Sequence, residues 1–512
     1  MTGTSITDVA DFVDEVRDLY QDDPELSVTL DEYRARLREP LRLAIAGIVK
    51  AGKSTLLNAL IGEQIAPTDA GECTRTITWY RYAPTPSITV HLRDGGVERR
   101  PVRRVEGRLV LDLGGRTAEE VAWIDVGWPS ENLRGLVLID TPGIASLTAA
   151  NSQRSTSFLL PQDAPSAADA IVYLLRHVHA ADVRFLEAFR DTAAGVGQTV
   201  NAVAVLSRAD EVGSGRIDSL LSAAKIADRY RRDRELRSLA LDVIPVAGLL
   251  AEGGRTLRES EFIVFRNLAG LDREARERLL VSVDRFTRPT DDTSVSVDAR
   301  RALLARFGLF GVRLGAALVR GGARTSSELA ERLVQQSGLI ELQRFVAQQF
   351  RSRAFALKAR GILQGIDDVL RENPRPGGDA LLGVLERLTS RSHDLRELSL
   401  LAELRTDPPR LDESEIEEAE RIVGGAGTSV VERLGLAEGT GRAECAERAD
   451  QLLARWRSLS ESPLTDRHTA SFCRMVVRSV EGIVSQLPGR STGDIATAPD
   501  VLLAGSPSER AG

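Results

Sequence analysis

The chain has 512 residues, of which 42% are hydrophobic and 28% are charged, and its formal net charge is −7 at pH 7. This length allows more than one hydrophobic core, and the acidic balance excludes a general attraction to nucleic acid or anionic lipid. Three cysteines are too few for a disulfide framework or a cysteine zinc site. The sequence contains no stretch of 18 apolar residues, so we expect no transmembrane helix.

The N-terminal segment has apolar residues at the spacing of two helices, over residues 5–38. Pro24 is expected to interrupt this pattern, because proline breaks a helix interior. Thr29 and Glu32 have the spacing of a capping box, which predicts the start of the second helix. We expect residues 1–39 to pack with a helical trunk rather than with a catalytic core.

Residues 47–54 read Gly-Ile-Val-Lys-Ala-Gly-Lys-Ser, which is a G-x-x-x-x-G-K-S phosphate loop. An apolar strand pattern precedes it and a helical pattern follows it, as this motif requires. The loop amides and the helix N-terminus can surround phosphate oxygens. Lys53 is expected to reach the β- and γ-phosphates and to serve catalysis, and Ser54 to bind Mg²⁺. The expected nucleotide contacts are Gly47, Ala51, Gly52, Lys53, Ser54 and Thr55. The alternative is a glycine-rich turn before a helix.

A second motif, Asp140-Thr-Pro-Gly143, follows an apolar strand pattern. Asp140 is expected to bind Mg²⁺, and the Gly143 amide to contact the γ-phosphate and respond to its loss. Between the two motifs, Thr74 is expected to bind Mg²⁺ and to close a switch loop during catalysis. The other threonines that can fill this role are Thr68, Thr76 and Thr78.

A third motif, Ser207-Arg-Ala-Asp210, follows the next apolar strand pattern. GTPases of the Ras-like class carry Asn/Thr-Lys-x-Asp here, and the aspartate accepts two hydrogen bonds from guanine that adenine cannot supply. Asp210 fills that role, while Arg208 replaces lysine and Ser207 replaces asparagine. Ala247, after the last strand pattern, is expected to contact the base. A helix-capping aspartate would be the simpler interpretation of this motif alone, but four elements in this order predict a GTPase.

Strand and helix patterns alternate over residues 40–252, which predicts an α/β P-loop GTPase head with a mainly parallel sheet and crossover helices. Ligands of such sheets bind at the carboxyl ends of the strands, where the three motifs lie. Asp94-Gly95-Gly96 predicts a hairpin turn. The expected strands are residues 41–46, 76–83, 87–93, 122–128, 136–139, 170–176, 201–207 and 242–246.

Helical patterns fill residues 253–488, which predicts an all-α helical-bundle neck or trunk. A seven-residue repeat runs from Leu381 to Ala402 and indicates a bundle or coiled-coil seam. Residues 489–512 have the composition of a disordered tail.

The phosphate loop and its helix, Gly47 to Leu60, resemble those of bacterial dynamin-like GTPases. Together with four further stretches they resemble the isoniazid-inducible proteins of mycobacteria over roughly residues 40–485. These stretches are Ala66 to Arg75, Ser207 to Gly213, Gly215 to Asp218 and Phe307 to Arg313. The resemblance implies a head that binds GTP and GDP with Mg²⁺ and hydrolyses GTP, self-association or pairing with a sister dynamin-like GTPase, and action at membranes.

Two positions depart from related catalytic patterns. Animal dynamins carry Gln-Ser within the phosphate loop, where this chain has Val49-Lys50. Ile144 follows Gly143 where Ras-type enzymes have glutamine. One hypothesis is that Lys50 serves catalysis by meeting charge on the transition state, and the other is that it is a solvated loop lysine.

A basic segment, residues 300–324, raises the question of membrane contact, since it holds six arginines and no acid. Arg306, Arg313 and Arg320 share one helical face, and a basic amphipathic helix can lie on an anionic bilayer. The alternative is a trunk helix whose arginines face water or pair with neighbouring acids.

Two functional classes remain open on the sequence alone. One is a mechanochemical enzyme that remodels membrane, and the other is a GTP-regulated scaffold or partner subunit with slow turnover and no lipid contact. The first residues lack a signal-peptide pattern, so we expect a cytoplasmic location, peripheral on the inner face of the plasma membrane, and no nucleic-acid partner.

Overall fold

A computed structural model describes residues 5–67, 76–105, 107–143, 159, 167–194, 200–213 and 215–487 of the chain. The chain forms two compact units, Met1–Asp407 and Pro408–Gly512. All three predicted nucleotide motifs belong to the first unit.

The first unit is centred on a β-sheet. The described strands are β1 (Leu41–Gly47), β2 (Thr78–Tyr82), β3 (Ser87–Leu92), β4 (Val97–Arg100), β5 (Arg103–Val105), β6 (Arg108–Val110), β7 (Val121–Trp128), β8 (Leu136–Asp140), β9 (Ala170–Leu175), β10 (Ala202–Ser207) and β11 (Val243–Val246). Nine of them form one sheet in the order β11-β10-β9-β1-β8-β2-β7-β3-β4.

The direction of the strands changes at β2. Strands β11, β10, β9, β1 and β8 run parallel, and β2 is antiparallel to β8 but parallel to β7. Strands β3 and β4 continue the sheet in antiparallel pairs. All six residues of β9 are buried, as expected for a central parallel strand covered on both faces. The predicted mainly parallel sheet with crossover helices is confirmed.

Three short strands, β4, β5 and β6, were not predicted. Strands β3 and β4 form a hairpin through Asp94-Gly95-Gly96, and Gly95 adopts φ 88°, so the predicted turn is confirmed. Strands β5 and β6 pair only with each other among the described strands, and most of their side chains are exposed. Exposed, charged strands lack the apolar alternation on which strand prediction depends.

Helices make up the rest of the first unit. They are α1 (Ile6–Leu19), α2 (Pro24–Arg38), α3 (Lys53–Ile61), α4 (Ala180–Ala194), α5 (Ser219–Arg232), α6 (Arg234–Arg237), α7 (Gly248–Arg255), α8 (Glu259–Ala269), α9 (Arg273–Leu280), α10 (Val283–Thr287), α11 (Val297–Arg320), α12 (Ser326–Gln336), α13 (Leu339–Phe345), α14 (Ala354–Glu372), α15 (Gly378–Arg391) and α16 (His393–Thr406). A π-helical segment, Val346–Arg351, follows α13.

The start of α2 corrects one expectation from the sequence. The N-cap is Asp23, whose carboxylate accepts hydrogen bonds from the N–H groups of Glu25 and Leu26. Pro24 is therefore the first helical residue rather than an interruption, since a helix N-terminus has no use for the missing N–H. The predicted capping box of Thr29 and Glu32 is wrong, because both residues lie inside the helix.

Helices α1 and α2 connect the helical half of the first unit with the sheet. They contact α14, and the Tyr20 hydroxyl donates to the carbonyl oxygen of Asn373 at 2.6 Å. The Arg36 guanidinium donates to Asp169 Oδ1 at 2.7 Å, and the N–H of Arg42 donates to Asp169 Oδ2 at 2.8 Å. The Asp169 side chain is 1% exposed, so this ion pair lies inside the protein.

The helices that follow the last strand pack on the head. Helix α7 contacts α3, α11 and α12, and Arg405 in α16 donates to the carbonyl oxygens of Ala240 and Leu241, at 2.8 and 3.1 Å, just before β11. The structure divides the chain at Asp407. The predicted boundaries, with N-terminal helices to residue 39, a head to 252, a trunk to 488 and a tail beyond, stay predictions of domain organisation.

The predicted leucine seam is split between two helices. Ser392 ends α15 and caps α16, since its hydroxyl accepts a hydrogen bond from the N–H of Leu395. Leu381 and Leu388 lie on α15 and are half-buried, whereas Leu395 and Ala402 lie on α16 and are buried. Of the two interpretations of the repeat, the structure therefore agrees with a helical bundle and not with a coiled-coil seam, because serine favours a helix N-cap over a helix interior.

The second unit is helical in its described part. Its helices are α17 (Glu413–Ile422), α18 (Val430–Leu434), α19 (Arg442–Glu461) and α20 (Arg467–Gln486). Asp412 and Glu415 form a capping box at α17. The buried Trp456 indole N–H donates to Glu418 Oε1 at 3.1 Å, and Arg455 pairs with the same carboxylate at 3.2 Å. These contacts join α17 to α19.

Helix α11 bears on the membrane question. It is the one helix in the described ranges that is long and apolar enough to cross a membrane by length and composition, with a mean hydropathy of 1.7. The expectation of no transmembrane helix stays a prediction, since Arg306 and Arg313 interrupt the apolar residues of this helix. Core helices pass the same test, and α11 buries Phe307 and Phe310.

Two of the arginines proposed to face lipid are bound inside the first unit. Arg306 forms an ion pair with Glu261 of α8 at 2.7 Å, and Arg313 donates to the carbonyl oxygen of Leu280 at 2.7 Å. The alternative of a packed helix whose arginine pairs with a neighbouring acid is confirmed for Arg306.

Candidate nucleotide-binding site

The phosphate loop connects β1 to α3, as the motif requires. Gly47 adopts φ 144°, and a Cβ there would overlap the carbonyl oxygen of Leu174 in β9. Gly52 adopts φ 95° and is the N-cap of α3, with Ala51 buried beside it and Thr55 in the first turn. The two glycines are therefore required, one by close packing and one by its left-handed backbone. The N-terminus of α3 faces the loop, which is the arrangement that binds anions.

Lys53 extends across this loop. Its Nζ donates to the carbonyl oxygens of Gly47 and Ile48, at 3.2 and 3.3 Å. Burial lowers the pKa of the Lys53 ammonium, and the nearby Asp140 carboxylate opposes that shift. The ammonium thus lies inside the loop that would surround the phosphates.

Ser54 and Asp140 meet at the same edge of the sheet. The Ser54 hydroxyl donates to Asp140 Oδ2 at 3.0 Å. Burial raises the pKa of Asp140 to about 6, against the lowering effects of Lys53 and of the Ser54 hydrogen bond. A hydroxyl and one carboxylate are the oxygen ligands that Mg²⁺ takes when phosphates complete its shell. The donor set of these two residues therefore fits a nucleotide-bound Mg²⁺.

Gly143 lies against the phosphate loop. A Cβ there would fall 2.9 Å from the Cα of Val49 and 3.1 Å from its backbone nitrogen, so only glycine allows this approach. Gly143 of the second motif therefore contacts Val49, one of the two phosphate-loop residues that differ from those of animal dynamins. Thr74 and Thr68 lie outside the described residues. Among the alternatives that the structure does describe, Thr76 and Thr78 are buried, and Thr78 is directly opposite Asp140 in the ladder between β2 and β8.

A cavity lies between the phosphate loop and the third motif. Its lining residues are Ala51, Gly52, Thr55, Leu56, Leu174, Val205, Ser207, Arg208, Asp210, Glu211, Val246, Gly248 and Leu249. The cavity therefore combines residues of the first and third motifs with the loop after β11, which is where the sequence places a guanine base.

Arg208 joins the third motif to the phosphate loop. Its Nη2 donates to the carbonyl oxygen of Lys50 at 2.9 Å, and its Nη1 donates to Glu211 at 2.7 Å. Both Arg208 and Lys50 have positive φ, 54° and 62°, which is uncommon for residues with side chains. Arg208 thus forms a bridge from the third motif to the phosphate loop. Glu211, which orients Arg208, was not predicted, although its i, i+3 spacing from Arg208 was visible in the sequence.

Ser207 and Asp210 occupy the two ends of a short turn after β10. The Ser207 hydroxyl donates to the carbonyl oxygen of Leu175 at 3.1 Å and so ties β10 to β9. The side chain of Asp210 is buried, and this burial raises its pKa to about 6. Ala247 is buried, and its N–H donates to the carbonyl oxygen of Ser337 at 2.9 Å. Its neighbours in sequence, rather than Ala247, line the cavity.

Comparison with known proteins agrees with this geometry. The dynamin family model matches residues 43–191. Isoniazid-induced protein IniC of Mycobacterium tuberculosis is 40% identical over 471 residues, which are 92% of this chain and 95% of that protein. The chain belongs to the dynamin family. Its similarity to IniC extends through the helices after the head, which confirms the resemblance to the isoniazid-inducible proteins.

Two further comparisons cover less of the sequence or fit less well in structure. Isoniazid-induced protein IniA of the same organism is 35% identical over 149 residues, 27% of this chain and 23% of that protein. A solved structure of an oligomerised bacterial dynamin pair has 12% sequence identity and a TM-score of 0.30, with 96% of this chain and 76% of that chain covered. The match to IniC is therefore both longer and higher in identity than the match to IniA. A dynamin-like GTPase head accounts for the sheet and its phosphate loop.

Proposed function

We propose that this protein binds GTP together with Mg²⁺ and hydrolyses GTP to GDP and phosphate. The observation that supports the proposal is that a phosphate end and a base end of one candidate site lie at the same edge of the sheet. Lys53 and the Ser54–Asp140 pair form the phosphate end, and the cavity at Asp210 forms the base end. Arg208 connects the ends through its hydrogen bond to Lys50.

Each group has a distinct role in the proposed reaction. The Lys53 ammonium meets negative charge on the β- and γ-phosphates, and Ser54 and Asp140 hold the metal ion, which supplies further positive charge when bound. The Gly143 amide, beside Val49, responds to the γ-phosphate, and Thr74 closes the switch loop. Asp210 accepts the guanine N–H groups. Catalysis of this kind depends on positioning and electrostatic stabilisation rather than on a covalent intermediate.

Calorimetric titration of the protein with GTP and with ATP, each with Mg²⁺, tests this function. Hydrogen bonds to a charged acceptor each contribute about 1.5–3 kcal/mol, so we expect GTP to bind at least about tenfold more tightly than ATP. Equal affinity for the two nucleotides, or tighter binding of ATP, would contradict the guanine assignment. Binding of neither nucleotide would contradict the proposed function as a whole.

We further propose that the nucleotide state controls self-association, or association with a sister dynamin-like GTPase, and contact with anionic membrane from the cytoplasmic side. Membership in the dynamin family supports this proposal, as does the similarity of the chain to both IniC and IniA, two proteins of one organism. Arg306 and Arg313 are bound internally, so lipid contact has to come from other residues of the chain.

Sedimentation with liposomes distinguishes membrane remodelling from the alternative of a GTP-regulated scaffold. We expect the full chain to pellet with vesicles that contain anionic lipid in the presence of a non-hydrolysable GTP analogue, and to pellet less with neutral vesicles. The double variant Arg306→Gln, Arg313→Gln should pellet as the wild type does if α11 stays inside the protein. No pelleting in any nucleotide state would favour the scaffold.

A further inference from the structure

Helix α11 is broken at Gly308, which has φ 64° and ψ 170°. This region of backbone space is open almost only to glycine, because a side chain there meets its own backbone. Helical residues continue on both sides of the break. The sequence Phe307-Gly-Leu-Phe-Gly therefore encodes a local change of direction within a helix that periodicity alone predicts to be continuous.

The break lies beside the base end of the nucleotide site. A Cβ on Gly308 would be 3.8 Å from Asp210 Oδ2 and 3.7 Å from Leu249 Cδ1. Asp210 is the proposed guanine acceptor, and Leu249 lines the cavity. Helix α11 thus forms the backing of the guanine-reading carboxylate, although it begins about 50 residues after the last strand of the sheet.

A second segment of the helical half contacts β11, whose last residue, Val246, lines the cavity. Gly338, between α12 and α13, has φ 80°, and a Cβ there would overlap the carbonyl oxygen of Pro245 in β11. The preceding residue, Ser337, accepts the hydrogen bond from Ala247 N–H. The junction of β11 and α7, which brings Val246 and Leu249 to the cavity, is therefore held from outside the sheet.

Helix α11 is anchored on each side of its break. Arg306, two residues before Gly308, forms the ion pair with Glu261 and donates to the carbonyl oxygen of Thr256 at 2.9 Å. Arg313, five residues after Gly308, donates to the carbonyl oxygen of Gly215 at 2.7 Å. These contacts hold both halves of the helix in place. The backbone conformation at Gly308 therefore determines which part of α11 lies next to the Asp210 carboxylate.

We propose that Gly308 is a positioning residue for guanine recognition, because the break in α11 holds the Asp210 carboxylate where it meets the base. The inference rests on the proposed GTP-binding function and extends it to the helices beyond the head. Replacement of Gly308 by alanine leaves room for the added methyl group, since its nearest neighbours lie at ordinary contact distance. The backbone, however, has to leave its positive φ, and the helix behind Asp210 then shifts.

The test compares GTP with inosine triphosphate, which lacks the guanine 2-amino group that Asp210 is proposed to bind. Wild-type protein should bind GTP about tenfold or more tightly than inosine triphosphate, as expected for one hydrogen bond to a charged acceptor. In Gly308→Ala, GTP affinity should fall about tenfold and inosine triphosphate affinity less than about threefold, so that discrimination is largely lost.

Gly322→Ala is the matched control. Gly322 follows the same helix with φ 100°, and no atom lies within 4 Å of its Cβ position, so this variant has a comparable backbone cost away from the site. Its ratio of GTP to inosine triphosphate affinity should match the wild type. Equal losses of both affinities in Gly308→Ala would overturn the positioning role. A wild type without preference for GTP would instead contradict the proposed function.

Amide hydrogen exchange on the wild-type chain covers the case in which Gly308→Ala does not fold. If α11 backs the base-reading carboxylate, GDP should slow exchange in residues 305–312 as well as in the phosphate loop. Residues 326–334 of α12 serve as the internal comparison, and their exchange should change less. If GDP slows exchange in the phosphate loop but does not slow it at residues 305–312, the inference is overturned, although GDP binding is still demonstrated.

Discussion

Replacement of Asp210 by asparagine is expected to weaken GTP binding by about a hundredfold or more and to shift preference toward xanthosine triphosphate. The carboxylate can accept from both the N1 and N2 groups of guanine, and each hydrogen bond to a charged acceptor contributes about 1.5–3 kcal/mol. Xanthine has a carbonyl oxygen in place of the 2-amino group, and the asparagine amide can donate to it. Calorimetric titration with both nucleotides measures the change.

The pH dependence of GTP affinity separates the roles of the two buried carboxyl groups. Burial raises the pKa of both Asp210 and Asp140 to about 6. As the pH falls through 6, each carboxyl gains a proton and loses acceptor capacity, so wild-type affinity for GTP should fall. Asp210→Asn removes only the first contribution, so its affinity should fall less steeply over the same range.

The control for this substitution is thermal stability measured without nucleotide. Because Asp210 is buried and its charged form is disfavoured, asparagine should leave the melting temperature at neutral pH unchanged or slightly higher. Retention of full GTP affinity by the variant, or no gain in relative affinity for xanthosine triphosphate, would show that Asp210 does not read the base.

The phosphate end of the site was predictable because its chemistry is local. Gly47, Gly52 and Lys53 act through backbone conformation and through the helix that starts at the loop, and all of these are encoded within eight residues. The Ser54–Asp140 hydrogen bond joins residues far apart in sequence, but β1 and β8 are neighbouring parallel strands whose carboxyl ends meet. Order along the chain and the rule for parallel sheets were sufficient to place them together.

The base end was predictable only in part, because its walls come from packing between distant segments. The motif identified Asp210 and Arg208, but the bridge from Arg208 to Lys50 depends on two positive φ angles that no pattern indicated. The break at Gly308 looks in sequence like one more glycine in an apolar helix. The proposed role of Gly308 can be inferred only from the structure, in which α11 passes Asp210, because tertiary contacts determine which glycine is constrained.

The prediction of helix starts from the sequence was wrong where two local signals competed. For α2, both Asp23-Pro24 and the spacing of Thr29 and Glu32 are typical of a helix N-terminus. The helix begins at Pro24, with Asp23 as its N-cap. At Ser392 a cap interrupted a heptad pattern that was correct in its apolar positions. In both cases the side-chain hydrogen bond at the cap determined the boundary, while apolar spacing determined only the buried face.

Replacement of Lys53 by alanine is expected to reduce GTP turnover by about a thousandfold or more. The ammonium is the positive group placed inside the phosphate loop, and electrostatic stabilisation of the transferring phosphoryl group accounts for most of the catalysis in such enzymes. Single-turnover phosphate release with saturating GTP and Mg²⁺ measures the rate. Turnover within about threefold of the wild type would contradict this role.

A loss of activity in Lys53→Ala should not come from unfolding. Burial lowers the pKa of this lysine, so its charged form is disfavoured in the folded chain without nucleotide, and removing it should leave the melting temperature unchanged or higher. The combination of intact stability and lost turnover distinguishes a catalytic role from a structural one.

Lys50→Ala is the matched variant, because Lys50 belongs to the same loop but its side chain is exposed. Its backbone carbonyl, which accepts from Arg208, is retained in the variant. If Lys50 meets transition-state charge when two heads associate, turnover should fall and lose its dependence on protein concentration, while GTP affinity stays within about threefold. Unchanged turnover with unchanged concentration dependence would make Lys50 a solvated loop residue, and Lys53 and the metal site would then carry the catalysis.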